Sequence, residues 1–175
     1  MSVKADEIRG ELEHHLARLW RYGIVLSRKP DIADDLVQAT CVRALERAGQ
    51  FTAGTTLDRW LFTILHSIWV NEIRSRLIRQ GQGFVDIDGA DVPTDDHSAV
   101  NAIWANQVMA RVNRLPEAQR NAVFLVYVEG FTYQEAAHTL SVPIGTIMSR
   151  LATARQRLAN DTAVASGRIV AEGDF

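Results

Sequence analysis

The stretch Thr132-Tyr-Gln-Glu-Ala-Ala-His-Thr-Leu-Ser-Val-Pro-Ile-Gly-Thr-Ile-Met-Ser-Arg-Leu151 constrains the fold of this chain more than any other. It reads as two short helices joined by a tight turn, with the second offered outward. Thr132 and Glu135 form the S/T-x-x-E capping box, and Phe131 ahead of them is placed to staple onto Ala136. Ala136 and Ala137 are small enough for another helix to approach, while Leu140, Val142 and Ile147 supply an apolar seam. Pro143 suits the first turn of the second helix, where its missing N–H costs nothing. Beyond it Ile144, Ile147, Met148, Leu151, Ala154 and Leu158 recur at helical spacing. The other face carries Thr146, Ser149, Arg150, Thr153, Arg155, Gln156 and Arg157, and no acid occurs from Ile144 to Leu158. Hydroxyls, an amide and guanidinium groups along one side of a helix suit a DNA major groove. An antiparallel helix pair in any bundle shares the cap, the turn and the stripe. The small residues and the acid-free basic face favour a helix-turn-helix. Ser141 stands where such turns favour glycine, which enters the left-handed region more cheaply.

The chain has 175 residues and a net charge of −2, so no global charge draws it to nucleic acid. The distribution of charge says more. From Gln80 to Ala110 the charged residues are Asp86, Asp88, Asp91, Asp95 and Asp96, with no Lys or Arg, while arginines cluster on both sides. That pattern suggests two basic surfaces separated by an acidic connector. Cys41 is the single cysteine, which excludes an intramolecular disulfide and argues against a thiol-based zinc site. It falls beside Val37, Ala44 and Leu45 on an apolar helix face and reads as core. No signal peptide and no run of about twenty apolar residues is evident, so a cytoplasmic protein is expected.

Helical patterns fill the first half. From Ala5 to Ser27 the apolar positions Ile8, Leu12, Leu16, Leu19, Trp20 and Leu26 predict a helix or a broken pair. Lys29-Pro30-Asp31 interrupts it, because proline disfavours helix in the residue before it. A second helix is predicted from Asp31 to about Ala48, its acidic first turn suiting the dipole, with Leu36, Val37, Thr40, Cys41, Ala44 and Leu45 buried. Gly49 to Thr56 reads as loop around Phe51. A third helix, Leu57 to Arg79, carries a stripe of Leu57, Leu61, Ile64, Leu65 and Ile68. Trp60, Phe62, Trp69 and Ile73 spread beyond that stripe, so the helix is apolar around much of its circumference. Arg74, Arg76 and Arg79 at its end either complement the dipole or, with the aromatics, make a platform for unstacked single-stranded bases. Gly81 to Ser98 reads as linker. A helix follows from Ala99 to Leu115, then another from Pro116 carrying Val123, Phe124, Val126 and Tyr127, closed by Gly130 as a glycine C-cap. After Asn160 the tail lacks a packing face and is expected to fray.

Three blocks in this order resemble the small, two-domain, extracytoplasmic-function sigma factors of bacterial RNA polymerase. Asp34-Asp-Leu-Val-Gln-Ala-Thr-Cys-Val-Arg-Ala-Leu45 is similar to the family's D-x-x-Q-x-T-F helix, with Cys41 in place of the usual Phe. Leu57 to Arg74 is similar to its promoter-reading helix. Leu115-Pro-Glu-Ala-Gln-Arg120 followed by the helix-turn-helix is the third block. The resemblance implies an all-α fold of two small helical domains: sigma region 2 as a helical bundle at 1–79 and sigma region 4 with the helix-turn-helix at 99–160. An acidic flexible linker at 80–98 would join them, with a tail at 161–175.

It also implies roles. Asp34, Asp35, Gln38 and Arg43 would meet the clamp helices of the polymerase's largest subunit, and region 4 the flap of the second subunit. Phe51, Thr55, Arg59, His66, Ser67, Asn71, Arg74 and Arg76 would receive a flipped base of the minus-ten element and hold the unwound non-template strand. Thr146, Ser149, Arg150, Thr153, Arg155 and Arg157 would read the minus-thirty-five element. The linker would run near the polymerase active site. His66 and Ser67 stand where Arg-Asn is frequent in the family, Trp69 where a small residue is usual, and Met148 where a basic one is common. Family members are often held inactive by an anti-sigma protein, and exposed apolar parts of the Leu57–Arg79 helix are a candidate contact for one.

The alternatives are a sigma-like decoy or adaptor that binds an anti-sigma protein, and a conventional helix-turn-helix repressor. The retained arginines count against the first; the Asp34–Leu45 and Leu57–Arg79 blocks are unexplained by the second. His14, His15, His66, His97 and His138 are scattered, and no H-E-x-x-H, P-loop or nucleophile-elbow motif occurs. Hence no enzyme, metal, cofactor or small-molecule substrate is expected.

Overall fold

The computed structural model describes residues 3–52, 54–81 and 107–171, and among them every regular element is helical. Helix α1 (Val3–Ser27) is one unbroken helix, not a pair, although it contains Gly10 and Gly23. Gly23 has a packing reason. A Cβ built there would stand 3.0 Å from both Cα and Cβ of Ala33, so only glycine lets α2 close on α1. Arg28 takes a left-handed φ of 58° to turn the chain, and Lys29 is extended as a residue before proline must be. Helix α2 (Pro30–Glu46) then starts one residue before the expected Asp31 and gives way to a 3-10 turn at Ala48–Gln50. Ala33, Leu36, Thr40 and Ala44 are its buried face, with Val37, Cys41 and Leu45 packed at the margin. Thr40 can be there because its hydroxyl donates to the Leu36 carbonyl at 2.7 Å.

Helix α3 (Leu57–Arg79) has the predicted bounds. Its apolar breadth has a different consequence from the one expected. Phe62, Trp69 and Ile73 are 0%, 1% and 3% exposed, so they are not a free surface for a partner protein. They are covered by the second half of the same chain, and Ile78 is the large apolar side chain of α3 that stays exposed among the described residues.

That second half comprises α4 (Gln107–Asn113), α5 (Glu117–Val123), a single π-helical turn (Phe124–Val128), α6 (Tyr133–Leu140) and α7 (Ile144–Ala171). The linker aspartates and the first part of the helix expected from Ala99 lie outside the described residues. In the π turn the Glu129 N–H donates to the Phe124 carbonyl at 3.0 Å, five residues back, and Gly130 follows at a φ of 71°. The extra residue in that turn sends Phe124 and Leu125 inward and leaves Tyr127, expected on the packing face, exposed. Helix α7 continues past Asn160 to Ala171, where fraying was expected; the run from Ala163 to Ala165 and Ala171 are good helix formers.

The two halves share one hydrophobic core. Tyr22 of α1 is fully buried between Phe62 (ring centroids 5.2 Å) and Phe124 (5.7 Å), and Phe131 meets Phe62 at 5.3 Å. Phe131 thus has a ring partner across the seam besides its expected place near Ala136. Burying one such ring contributes about 1.5–3 kcal/mol, more than an exposed ion pair supplies. Aromatic burial therefore dominates the closure of the two halves.

Candidate nucleic-acid interface

The helix-turn-helix is built as its residues dictate. The Thr132 N–H donates to Glu135 Oε2 at 2.7 Å, and the Glu135 N–H donates to Thr132 Oγ1 at 3.1 Å, completing the capping box. These bonds and the nearby Arg59 charge outweigh partial burial and hold the Glu135 carboxyl below its ordinary value. Ser141 closes α6 in the left-handed region (φ 54°, ψ 43°), and the Val142 N–H donates to the Ala137 carbonyl at 3.0 Å. The Pro143 carbonyl accepts the first bond of α7, from the Thr146 N–H at 2.9 Å. Ile147, Leu151 and Ala154 are fully buried, and Leu158 packs at the margin. Ile144 and Met148 are 39% and 49% exposed, correcting the expected stripe; they flank it about 60° and 100° from Ile147 around the helix. On the outward side Ser149, Arg155 and Arg157 are exposed, while Thr146, Arg150 and Thr153 are half-buried. A row of donors with no acid among them is thus presented along one helix face, the chemistry a major groove requires.

The residues expected at the minus-ten element divide into two groups. Phe51 and Thr55 lie on the loop before α3, Thr55 exposed and Phe51 tilted against Trp60 at 5.2 Å. His66, Ser67, Asn71 and Arg74 run along α3 and face α5, α6 and α7 across a cavity that Arg150 also lines. Arg76 pairs with Glu72 of its own helix at 3.0 Å. Arg59 belongs to the seam. It pairs with Asp58 and Glu135, donates to the Gly130 carbonyl at 3.2 Å, and lies 4.1 Å over the Phe131 ring. On α2, Asp35 and Gln38 are exposed, Arg43 is half-buried, and Asp34 accepts from Trp20 Nε1 at 2.8 Å.

Several residues that hold this arrangement were not singled out by sequence. Arg18 Nε donates to Glu129 Oε2 at 2.7 Å, and its other nitrogens reach Asp58 at 3.2 Å. Burial lowers the Arg18 pKa, but the bond to Glu129 and the two carboxylate charges outweigh it and raise the value. Asp58 is likewise opposed by burial, yet bonds from the Thr56 hydroxyl and Arg59 N–H, with both arginine charges, hold it below its usual range. Arg120 is 3% exposed; its Nε donates to the Val25 carbonyl at 2.8 Å and Nη1 to the Leu115 carbonyl at 2.9 Å. Trp69 Nε1 donates to Glu117 Oε1 at 2.8 Å, and Thr63 and Thr139 hydroxyls meet at 3.2 Å. Arg120 had a legible signal: it precedes Val123 and Phe124 by three and four residues, on their buried face.

Residues 12–66 match the family model described as the sigma2 domain of PhyR, and residues 105–158 match Sigma-70, region 4. Together they make a region 2–region 4 protein of the sigma class. Along its length the chain is 34% identical over 155 residues to the ECF RNA polymerase sigma factor EcfG of Rhodopseudomonas palustris, covering 87% of this chain and 83% of that relative. It is 35% identical over 146 residues to the sigma factor SigM of Mycobacterium tuberculosis, with 83% and 71% covered. The solved structure of the sigma factor RpoE in complex with the anti-sigma factor NepR from Bartonella quintana aligns with a TM-score of 0.68 at 33% identity, over 88% of this chain and 95% of that one. The chain belongs to the extracytoplasmic-function family of RNA polymerase sigma factors.

Proposed function

We propose that this chain loads onto core RNA polymerase and directs it to a set of promoters, with the work divided between its two halves. Residues 1–79 act as region 2, 80–98 as linker, 99–160 as region 4 and 161–175 as tail. Asp34, Asp35, Gln38 and Arg43 of α2 meet the clamp helices of the largest subunit, and region 4 meets the flap of the second. The loop at Phe51 and Thr55 takes a flipped base, at a stacking cost of a few kcal/mol offset by the pocket that receives it. His66, Ser67, Asn71, Arg74 and Arg76 follow the unwound strand. Thr146, Ser149, Arg150, Thr153, Arg155 and Arg157 read the minus-thirty-five element.

The observation that carries this reading is the capped helix-turn-helix with an acid-free outward face, on a chain whose α3 supplies a second basic run. Each half binds DNA weakly alone at physiological salt, and tethering both to one polymerase raises their effective concentration. Nothing in this requires covalent chemistry by the chain, and it acts in the cytoplasm, where polymerase and promoters meet. The closed seam adds a condition. Arg59 and the cavity-facing side of α3 are engaged with the second half, so promoter opening requires the halves to part. Control by an anti-sigma protein that favours the closed form fits this, supported by the NepR complex of the similar RpoE.

Run-off transcription with purified core polymerase on a promoter library tests the proposal. Arg150→Ala and Arg155→Ala should each cost about 1–3 kcal/mol in promoter discrimination. Equal output with and without the chain on every template defeats it.

A further inference from the structure

Between α3 and the second half lies a cavity of about 410 Å³, within the range of about 300–1,000 Å³ common for small-molecule sites. Its charged wall is uneven. Arg74 and Arg150 line it together with one carboxylate, Glu117, whose Oε1 already accepts from Trp69 Nε1. Among the described residues Arg74 makes no ion pair. His66 sits on the same wall, with Nδ1 3.1 Å from the Tyr22 hydroxyl. Tyr22 is fully buried and burial pushes its pKa well up, so the phenol keeps its proton and donates to Nδ1. The neutral imidazole then carries its own hydrogen on Nε2. The remaining polar wall consists of the Asn71 and Asn121 amides and the hydroxyls of Thr63, Ser67, Thr139 and Ser141.

Asn121 gives this wall its meaning. It is 4% exposed, lines the cavity, and its Oδ1 has no hydrogen-bond partner. A buried acceptor left unmade costs free energy, and a half-turn of the amide about its soft terminal torsion directs that oxygen to the cavity. An occupant that satisfied it would need a donor, such as an exocyclic amine or a sugar hydroxyl, beside an anion matched to two guanidinium groups. We propose that this seam cavity is a binding site for a free nucleoside monophosphate, its phosphate toward Arg74 and Arg150 and its base or ribose toward Asn121.

A free nucleotide is favoured over a nucleotide within a strand because the cavity exists only where the halves meet. A ligand there binds the closed arrangement and not the parted one, and so stabilises closure by mass action. It also occupies Arg74 and Arg150. The expected consequence, weaker transcription, rests on the sigma-factor reading; the binding does not.

The test uses the full chain without polymerase, with adenosine 5′-monophosphate, adenosine and inorganic phosphate as probes, followed by calorimetry, thermal melting and ¹⁵N NMR. The monophosphate should raise the melting temperature and shift the Asn71 and Asn121 side-chain amide signals, with adenosine and phosphate each about tenfold weaker or more. Asn121→Leu, which keeps the bulk and removes the acceptor, should weaken it about tenfold without lowering the unliganded melting temperature. Asn121→Asp, which keeps the shape, should weaken it by adding a negative charge. No binding up to roughly 10 mM, a weak limit for so small a ligand, overturns the proposal. So does phosphate binding as tightly as the monophosphate, or affinity indifferent to both Asn121 variants. A single-stranded trinucleotide that outcompetes the monophosphate and is itself weakened by Asn121→Leu overturns the assignment to a free nucleotide. If the monophosphate binds as stated but the chain supports no transcription with core polymerase, the sigma-factor reading falls and the site stands.

Discussion

Replacing Arg18 with alanine should open this molecule without unfolding it. The Glu129 side chain is 3% exposed, with Arg18 Nε at 2.7 Å and Arg21 farther off at 4.0 Å. Removing one partner of a buried pair costs about 3–5 kcal/mol when the remaining charge must stay buried. Here Arg21 remains and Arg18 is itself 29% exposed, which reduces the cost to about 2–3 kcal/mol. Glu129 regains water once the halves part, so the penalty falls on closure and not on the folding of either half. In equilibrium terms that is about 30- to 140-fold toward the open form. Energy transfer between dyes on cysteines placed in α1 and α7, in a Cys41→Ser background, reads the separation directly. The expected result is a loss of transfer with unchanged helical circular dichroism. Glu129→Gln in the Arg18→Ala chain should recover part of the transfer, since the orphaned charge is gone. Unchanged transfer in Arg18→Ala, or helix lost in step with it, would refute the reasoning.

Other consequences are as direct. Gly23→Ala forces a methyl to 3.0 Å from Ala33 and should cost about 1–3 kcal/mol, with Gly23→Ala/Ala33→Gly recovering stability in thermal melts. Ser141→Gly removes a left-handed Cβ and should gain about 0.5–1 kcal/mol, seen as a melting temperature about 2–4 °C higher. Asp58 and Glu135 have folded pKa values below their ordinary ones of 3.8 and 4.5. Their contribution is therefore present above those values and lost as pH falls through the lower folded ones. Melts from pH 7 to pH 3 should show stability falling only in the acid range, and Asp58→Asn should flatten that fall.

The helices themselves were legible because punctuation and period agreed. Pro30, the Thr132–Glu135 box and Gly130 each mark a boundary that the backbone respects. The bounds of α3 followed from the same signals. What its breadth meant did not: one chain's periodicity shows that Phe62 and Trp69 must be covered, not by what. The Trp69–Glu117 bond spans 48 positions and Arg18–Glu129 spans 111, separations that local pattern cannot see. Met148 was misplaced for a geometric reason, since a residue 100° from Ile147 sits at the rim of the stripe. Of the residues proposed for nucleic acid, the α7 row was legible from the lack of acids. The position of Arg59 in the seam was not, because its partners Gly130 and Glu135 belong to the other half.

At the end of α1 the two halves are joined by side chain to main chain in both directions. Arg120 reaches the Val25 carbonyl, and Arg28 reaches the Asn113 carbonyl at 3.0 Å. A carbonyl oxygen is present whatever amino acid bears it. Substitutions at Val25 or Asn113 would therefore leave these joints chemically intact, whereas each arginine is irreplaceable at its own position. Paired changes between relatives would then leave no trace of a junction that any sequence drift on the accepting side passes over unnoticed.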